Sequence, residues 1–248
     1  VALGFAAGCE TTTSGYNVYL GDSAGRNMQT GDYNFASGYE ALKGSGTPAD
    51  NTGGYNIAIG KGAGCAMTSG TYNHLFGYNA GQEITSGYRN NAMGNSALED
   101  LSTGRCNVAI GPQAGNKVTT GCNNITLGAF AGCLIAGGND NIFFGDSAGR
   151  NTADANKNIF IGSCAGNTNT SGCCNIAVGY DVELPSATAE KQLAIGNGTD
   201  RWITGDSSYN LGLAGGSVVV TQAAAGVGAT VGPGDAGVTT YFGDGSNL

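Results

Sequence analysis

Apolar residues in this chain come in short runs: Asn56-Ile57-Ala58-Ile59-Gly60, Asn107-Val108-Ala109-Ile110-Gly111 and Asn175-Ile176-Ala177-Val178-Gly179 are typical, with polar, glycine-rich stretches between them. The glycine closing each run marks a ruler: Gly4, Gly21, Gly38, Gly60, Gly77, Gly94, Gly111, Gly128, Gly145, Gly162, Gly179 and Gly196, spaced by 17 residues at every step except one of 22. Four residues earlier, from Gly21 to Gly179, stands an asparagine: Asn17, Asn34, Asn56, Asn73, Asn90, Asn107, Asn124, Asn141, Asn158 and Asn175. A fixed period of this length signals a repeat architecture in which each unit packs on its neighbours.

With the asparagine as position 0, positions +1 and +3 are mainly Ile, Val, Leu and Phe, which predicts a short strand with these two columns on one face. Position +2 faces the other way and is also mostly apolar, as in Ala58, Leu75, Phe143 and Phe160. A strand apolar on both faces is buried on both. One face can pack inside its own coil. The +2 column is expected to be the face that one thin coil cannot bury and that needs a second chain. Position +7 is alanine from Ala24 to Ala165, usually followed by glycine, and each unit closes with Ser/Thr-Gly, as in Ser69-Gly70 and Thr120-Gly121. Both are turn chemistry. The expected coil is therefore strand, glycine turn, second short extended piece, Ser/Thr-Gly turn. The fold class is all-β, a parallel β-roll or β-solenoid. Twelve coils at ~4.8 Å each would make a rod roughly 58 Å long.

The 22-residue step holds five extra residues near 43–50, where Gly44, Gly46, Pro48 and Asp50 predict a looped-out insertion. After Gly179 the pattern decays, Gln192 replaces the asparagine, and Ala194-Ile195-Gly196 forms a last degenerate coil. Residues 1–198 are read as the repeat shaft and 199–248 as a C-terminal β segment or the start of a further module. Val218-Val219-Val220-Thr221 and Val238-Thr239-Thr240-Tyr241-Phe242 are expected strands. Since Val1 sits inside a repeat, the chain reads as a fragment of a longer polypeptide.

Composition narrows the function classes. The net charge is −8, against the basic stripe that nucleic acid requires. No apolar run approaches the ~20 residues of a membrane helix. Glycine numbers 46 of 248 residues without a Gly-X-Y triplet, so collagen is excluded.

Candidate chemistry is sparse. The only histidine, His74, falls in the +1 column and is read as a core substitute for Ile or Val. Cys9, Cys65 and Cys133 share position +9, Cys106 and Cys174 position −1, Cys122 and Cys173 position −2, and Cys164 stands at +6, with no column matched in neighbouring coils. Cys65 and Cys133 are four coils apart, ~19 Å by rung spacing and beyond bridging reach. They are read as free, partly buried thiols, with Cys173-Cys174 open as a contact between chains. No metal-ligand spacing, phosphate loop or paired carboxylate occurs, so no catalytic residue, metal or cofactor is expected. The Ser/Thr pairs before glycine are adjacent and cannot share one strand face as an ice-binding array would need. The asparagine column reads as structural, capping turns and bonding rung to rung.

The Asn-x-Ala-Ile-Gly units resemble the repeats in the heads of trimeric autotransporter adhesins, which are left-handed parallel β-rolls packed as trimers. The fuller unit, with Ala-Gly and Thr-Thr-Gly, is similar to repeats of phage tail-fibre proteins, notably those of marine cyanophages. Trp202-Ile203-Thr204-Gly205-Asp206 and Thr240-Tyr241-Phe242-Gly243-Asp244-Gly245 are similar to other segments of those fibres. The 17-residue period is longer than the usual adhesin-head unit, and neither a chaperone-protease module nor a membrane-anchor barrel is present in this sequence. The resemblance implies a homotrimeric fibre in a virion or extracellular appendage, joined to other fibre or tail proteins and serving attachment to a host surface glycan or protein. An adhesin head that binds its ligand directly is the alternative. A depolymerase would need paired carboxylates in a groove.

Overall fold

The structure is a computed structural model and describes residues 1–208 and 210–213. Its fourteen strands are β1 (Ala2–Leu3), β2 (Val18–Leu20), β3 (Phe35–Ser37), β4 (Ile57–Ile59), β5 (His74–Phe76), β6 (Asn91–Met93), β7 (Val108–Ile110), β8 (Ile125–Leu127), β9 (Ile142–Phe144), β10 (Ile159–Ile161), β11 (Ile176–Val178), β12 (Leu193–Asn197), β13 (Asp200–Gly205) and β14 (Leu211–Leu213). They form one sheet in sequence order. From β1 to β12 the pairing is parallel and in register, so Val108 lies on Ile125 and Ile125 on Ile142. The 22-residue step leaves this register intact, with Phe35 on Ile57. From β1 to β12 the chain is a single parallel β-solenoid. The expected strands at 218–221 and 238–242 lie outside the described residues.

From β2 to β11 each coil keeps only one strand, of three residues. The second extended piece is not a strand: at +12 one carbonyl collects the bonds that join coils, as the Thr85 carbonyl accepts from Thr68, Ser69 and Gly70 N–H at 3.0, 3.2 and 3.0 Å. The hydroxyls of Thr68, Thr85, Ser102 and Thr119 donate to the next coil's carbonyl in the same column. The glycine at +4 is required by geometry. Gly111 has φ +130°, and a Cβ there would come within 2.6 Å of the Gly128 carbonyl. Residues at −1 are left-handed whatever their identity, from Tyr16 (φ 59°) to Lys191 (φ 57°). The five-residue insertion contains a 3-10 turn, Pro48–Asp50. Its base is tied by buried Asn51, whose amide donates to the Asn27 and Ser45 carbonyls.

The inward face is the reverse of the one expected. The +2 side chains, including Phe143 and Phe160, are fully buried inside the coil, and +1 and +3 face outward. Alternation explains this, because position 0 and position +2 lie on the same side of a strand, and the asparagines point into the coil. The core consists of +2, the +7 alanines and a column at +11 that the sequence reading passed over: Met28, Met67, Ile84, Leu101, Val118 and Ile135. Its signal was an apolar residue directly before a Ser/Thr pair, as at Met67, Ile84, Leu101 and Val118. Volumes are matched within and between neighbouring coils. Gly149 and Gly166 at +8 lie against the rings of Phe143 and Phe160. The coils of Ala36 and Ala92 carry Leu42 and Leu98 at +8, and these leucines fill the space beside Gly64 and Gly115 in the next coils, whose +2 residues are also alanine.

Beyond β12 the sheet continues but reverses. β13 returns antiparallel along β12, and β14 along β13.

Candidate functional surfaces

The asparagine column forms a continuous ladder inside the solenoid. Asn107 Nδ2 donates to Asn90 Oδ1 at 3.1 Å and to the Gly121 carbonyl at 2.8 Å. Its Oδ1 accepts from Asn124 N–H at 3.0 Å and Asn124 Nδ2 at 3.1 Å. Both amide protons and both lone pairs are thus used. From Asn34 to Asn175 these residues are buried, whereas Asn17 is half-buried. A ligand has no route to the buried ones.

The outer sheet face is an unpartnered apolar surface. None of the side chains at +1 and +3 from Val18 to Ile195 is charged. Ile59, Met93, Ile110, Ile125, Ile142, Phe144, Ile161 and Ile176 are exposed there. The face persists through the strand reversal, because Ile195 lies on Ile203 and Ile203 on Leu213, and cross-strand partners share a face. His74 belongs to this face. It is exposed, not a core substitute, for the same reason that reversed the two strand faces: its column points outward. Its Nδ1 lies 3.0 Å from Asn91 Oδ1 on the next rung.

The −1 corner carries two further features. Tyr16, Tyr33, Tyr55 and Tyr72 stack on successive coils with ring centroids 4.9–5.0 Å apart. Further along, a shallow trough of about 530 Å³ is lined by residues that include Arg105, Asn139, Asp140, Asn156, Lys157 and Glu190. Among the described residues the ion pairs are Lys43–Glu40 and Lys117–Asp100, so the charges in the trough have no ion-pair partner there. On the opposite side Lys61 lies between Tyr39 and Tyr78, 5.8 and 5.6 Å from their ring centroids.

All eight cysteines are free thiols; Cys133 is buried, Cys9 and Cys174 are exposed and the others are half-buried. Burial pushes the Cys65 and Cys133 thiols up from their ordinary value, which lowers their nucleophilicity. No group of three metal-ligating side chains occurs among the described residues. No helix among them is long and apolar enough to cross a membrane. The chain matches no protein-family model, no curated protein and no solved structure.

Proposed function

We propose that this chain is a structural fibre segment: the homotrimeric shaft of a phage tail fibre, or of a similar surface appendage, that holds a recognition element toward a host. One observation carries the reading. A charge-free apolar face runs along every coil and continues past the point where strand direction reverses. Contiguous exposed apolar surface on this scale marks an association site. A second copy fits it best, since the same chain presents the same apolar columns at the same rung spacing. The number three comes from the resemblance to trimeric fibres. On this reading the protein lies in a virion or extracellular appendage, contacts other fibre proteins, and has no catalytic role or cofactor.

Native mass measurement tests it. A particle of three 24.6 kDa chains is expected, and a stable single chain overturns the proposal. Release of reducing ends from a host capsule or lipopolysaccharide would overturn the non-catalytic part.

One observation favours the adhesin-head alternative. The trough at Arg105, Asp140, Lys157 and Glu190 presents unpaired charges and amides to solvent. Tight, saturable cell binding by the purified chain, lost in Lys157→Ala, would shift the reading from shaft to direct binder.

A further inference from the structure

A face built from identical rungs has a weakness as an interface. Sliding one copy along another by one coil, ~4.8 Å, again places apolar side chains on apolar side chains over most of the face, with Ile on Ile from Ile125 to Ile176. Apolar burial is non-directional, so such a slip loses only the overhanging rung. Closed cyclic assembly nevertheless requires that every copy make the same contact. Something must break the translational sameness of the face.

Between Val18 and Ile195 the +1 and +3 columns are interrupted by polar side chains at Ser37, His74 and Asn91. His74 and Asn91 stand on successive rungs of one column, paired across β5 and β6. Both are exposed. Ile57 and Val108 flank them along the column, and Phe76 and Met93 lie beside them at +3. No ionisable side chain other than His74 stands in either column over this stretch. The contact from Nδ1 to Asn91 Oδ1 makes Nδ1 the donor. That leaves Nε2 as an acceptor and Asn91 Nδ2 as a donor, with no partner for either among the described residues.

We propose that the His74–Asn91 pair is the register key of self-assembly. The proposal rests on the self-association reading above. When copies align, His74 sits beside His74 and Asn91 beside Asn91 in one polar patch two rungs tall, and Nε2 of one copy reaches Nδ2 of another one rung along, as Nδ1 reaches Oδ1 within the chain. A one-coil slip keeps one His74–Asn91 contact but sets the two outer polar groups against Ile57 and Val108, and a slip of two coils sets all of them against apolar side chains, where a buried unsatisfied polar group is unfavourable. A buried polar position in an otherwise apolar seam fixes alignment in this way at some expense of overall strength.

The test uses the full chain with a photo-crosslinking benzoylphenylalanine in place of Ile161, with cross-linked peptides mapped by mass spectrometry. In the parent protein, cross-links to the partner copy should fall at one height. In His74→Ile/Asn91→Ile, the native mass should be unchanged, while cross-links spread to heights one coil away, near Phe144 and Val178. Adding Ile125→His and Ile142→Asn to that variant moves the pair three coils along and should restore a single height. Cross-links that stay at the parental height in His74→Ile/Asn91→Ile overturn the register role. So does a parent protein whose cross-links are already spread. A parent protein with the mass of one chain overturns the self-association reading, and this inference with it.

Discussion

At the scale of single residues, the asparagine ladder concentrates polar satisfaction inside an apolar coil. Removing one amide strands its neighbours. Asn107→Ala leaves the Asn124 N–H and the Gly121 carbonyl without their partner. With ~1–3 kcal/mol for each buried orphan, a loss of about 3 kcal/mol is expected by urea or thermal unfolding. A variant within ~0.5 kcal/mol of the parent would refute this. Tyr19 is the opposite case. It is 2% exposed, its hydroxyl meets no partner in hydrogen-bond geometry, and the Asn34 side chain beside it only partly offsets the effect of burial. Burial pushes its phenol from 10.0 up to about 12. The folded chain therefore holds a proton that the unfolded chain releases near pH 10. This stabilisation is complete below pH 10 and is lost as pH rises through about 12. Tyr19→Phe should be neutral or stabilising at pH 7 and should flatten that alkaline loss. Marked destabilisation at neutral pH would show that the hydroxyl is bonded.

At the scale of the element, a coil and its neighbour fill one interior volume. The +2 side chain and the +8 residue share one space, so Phe143 requires Gly149, while Ala36 and Ala92 accompany Leu42 and Leu98. Those two leucines also have positive φ (47° and 50°), so a leucine fits the turn once the ring is gone. Phe143→Ala should cost ~3–5 kcal/mol, and Gly149→Leu should be destabilising through the clash. The double variant should recover part of the summed loss, since contacting sites couple by ~0.5–3 kcal/mol. Strict additivity in the double-mutant cycle would show that the two positions do not share space. The phenyl stack of Phe143 and Phe160, 5.0 Å apart, is a further term that Phe143→Ala loses.

For the molecule as a whole, the charge-free outer face is the property with the largest consequence. Ile142→Lys places a charge at 37% exposure in the middle of it. A lone chain should fold normally, because +1 side chains lie outside the coil. Assembly should fail, because an unpaired ammonium would be buried between copies. Native mass and circular dichroism together check this, with folded single chains as the expected result. A variant that assembles like the parent would exclude this face as the contact.

The sequence by itself determined the coil. The spacing of Gly111 and Gly128 gave the period, three-residue apolar runs gave the strands, and Lys43 to Asp50 marked the excursion. The asparagines at 0 were legible as a column, and their alternation with +2 was enough to send Phe143 and Phe160 inward. That inference was missed because both strand faces are apolar, and hydrophobicity alone cannot choose between them. The +11 column escaped because Met67 and Ile84 lie in a turn-rich segment with no strand period. Only the tertiary structure decided which face closes on itself. An interior one side chain wide accepts the column that meets the +7 alanines and leaves the other to solvent. The surfaces at Arg105–Glu190 and His74–Asn91 were likewise invisible in sequence, because residues 17 apart become neighbours only when coils stack in register.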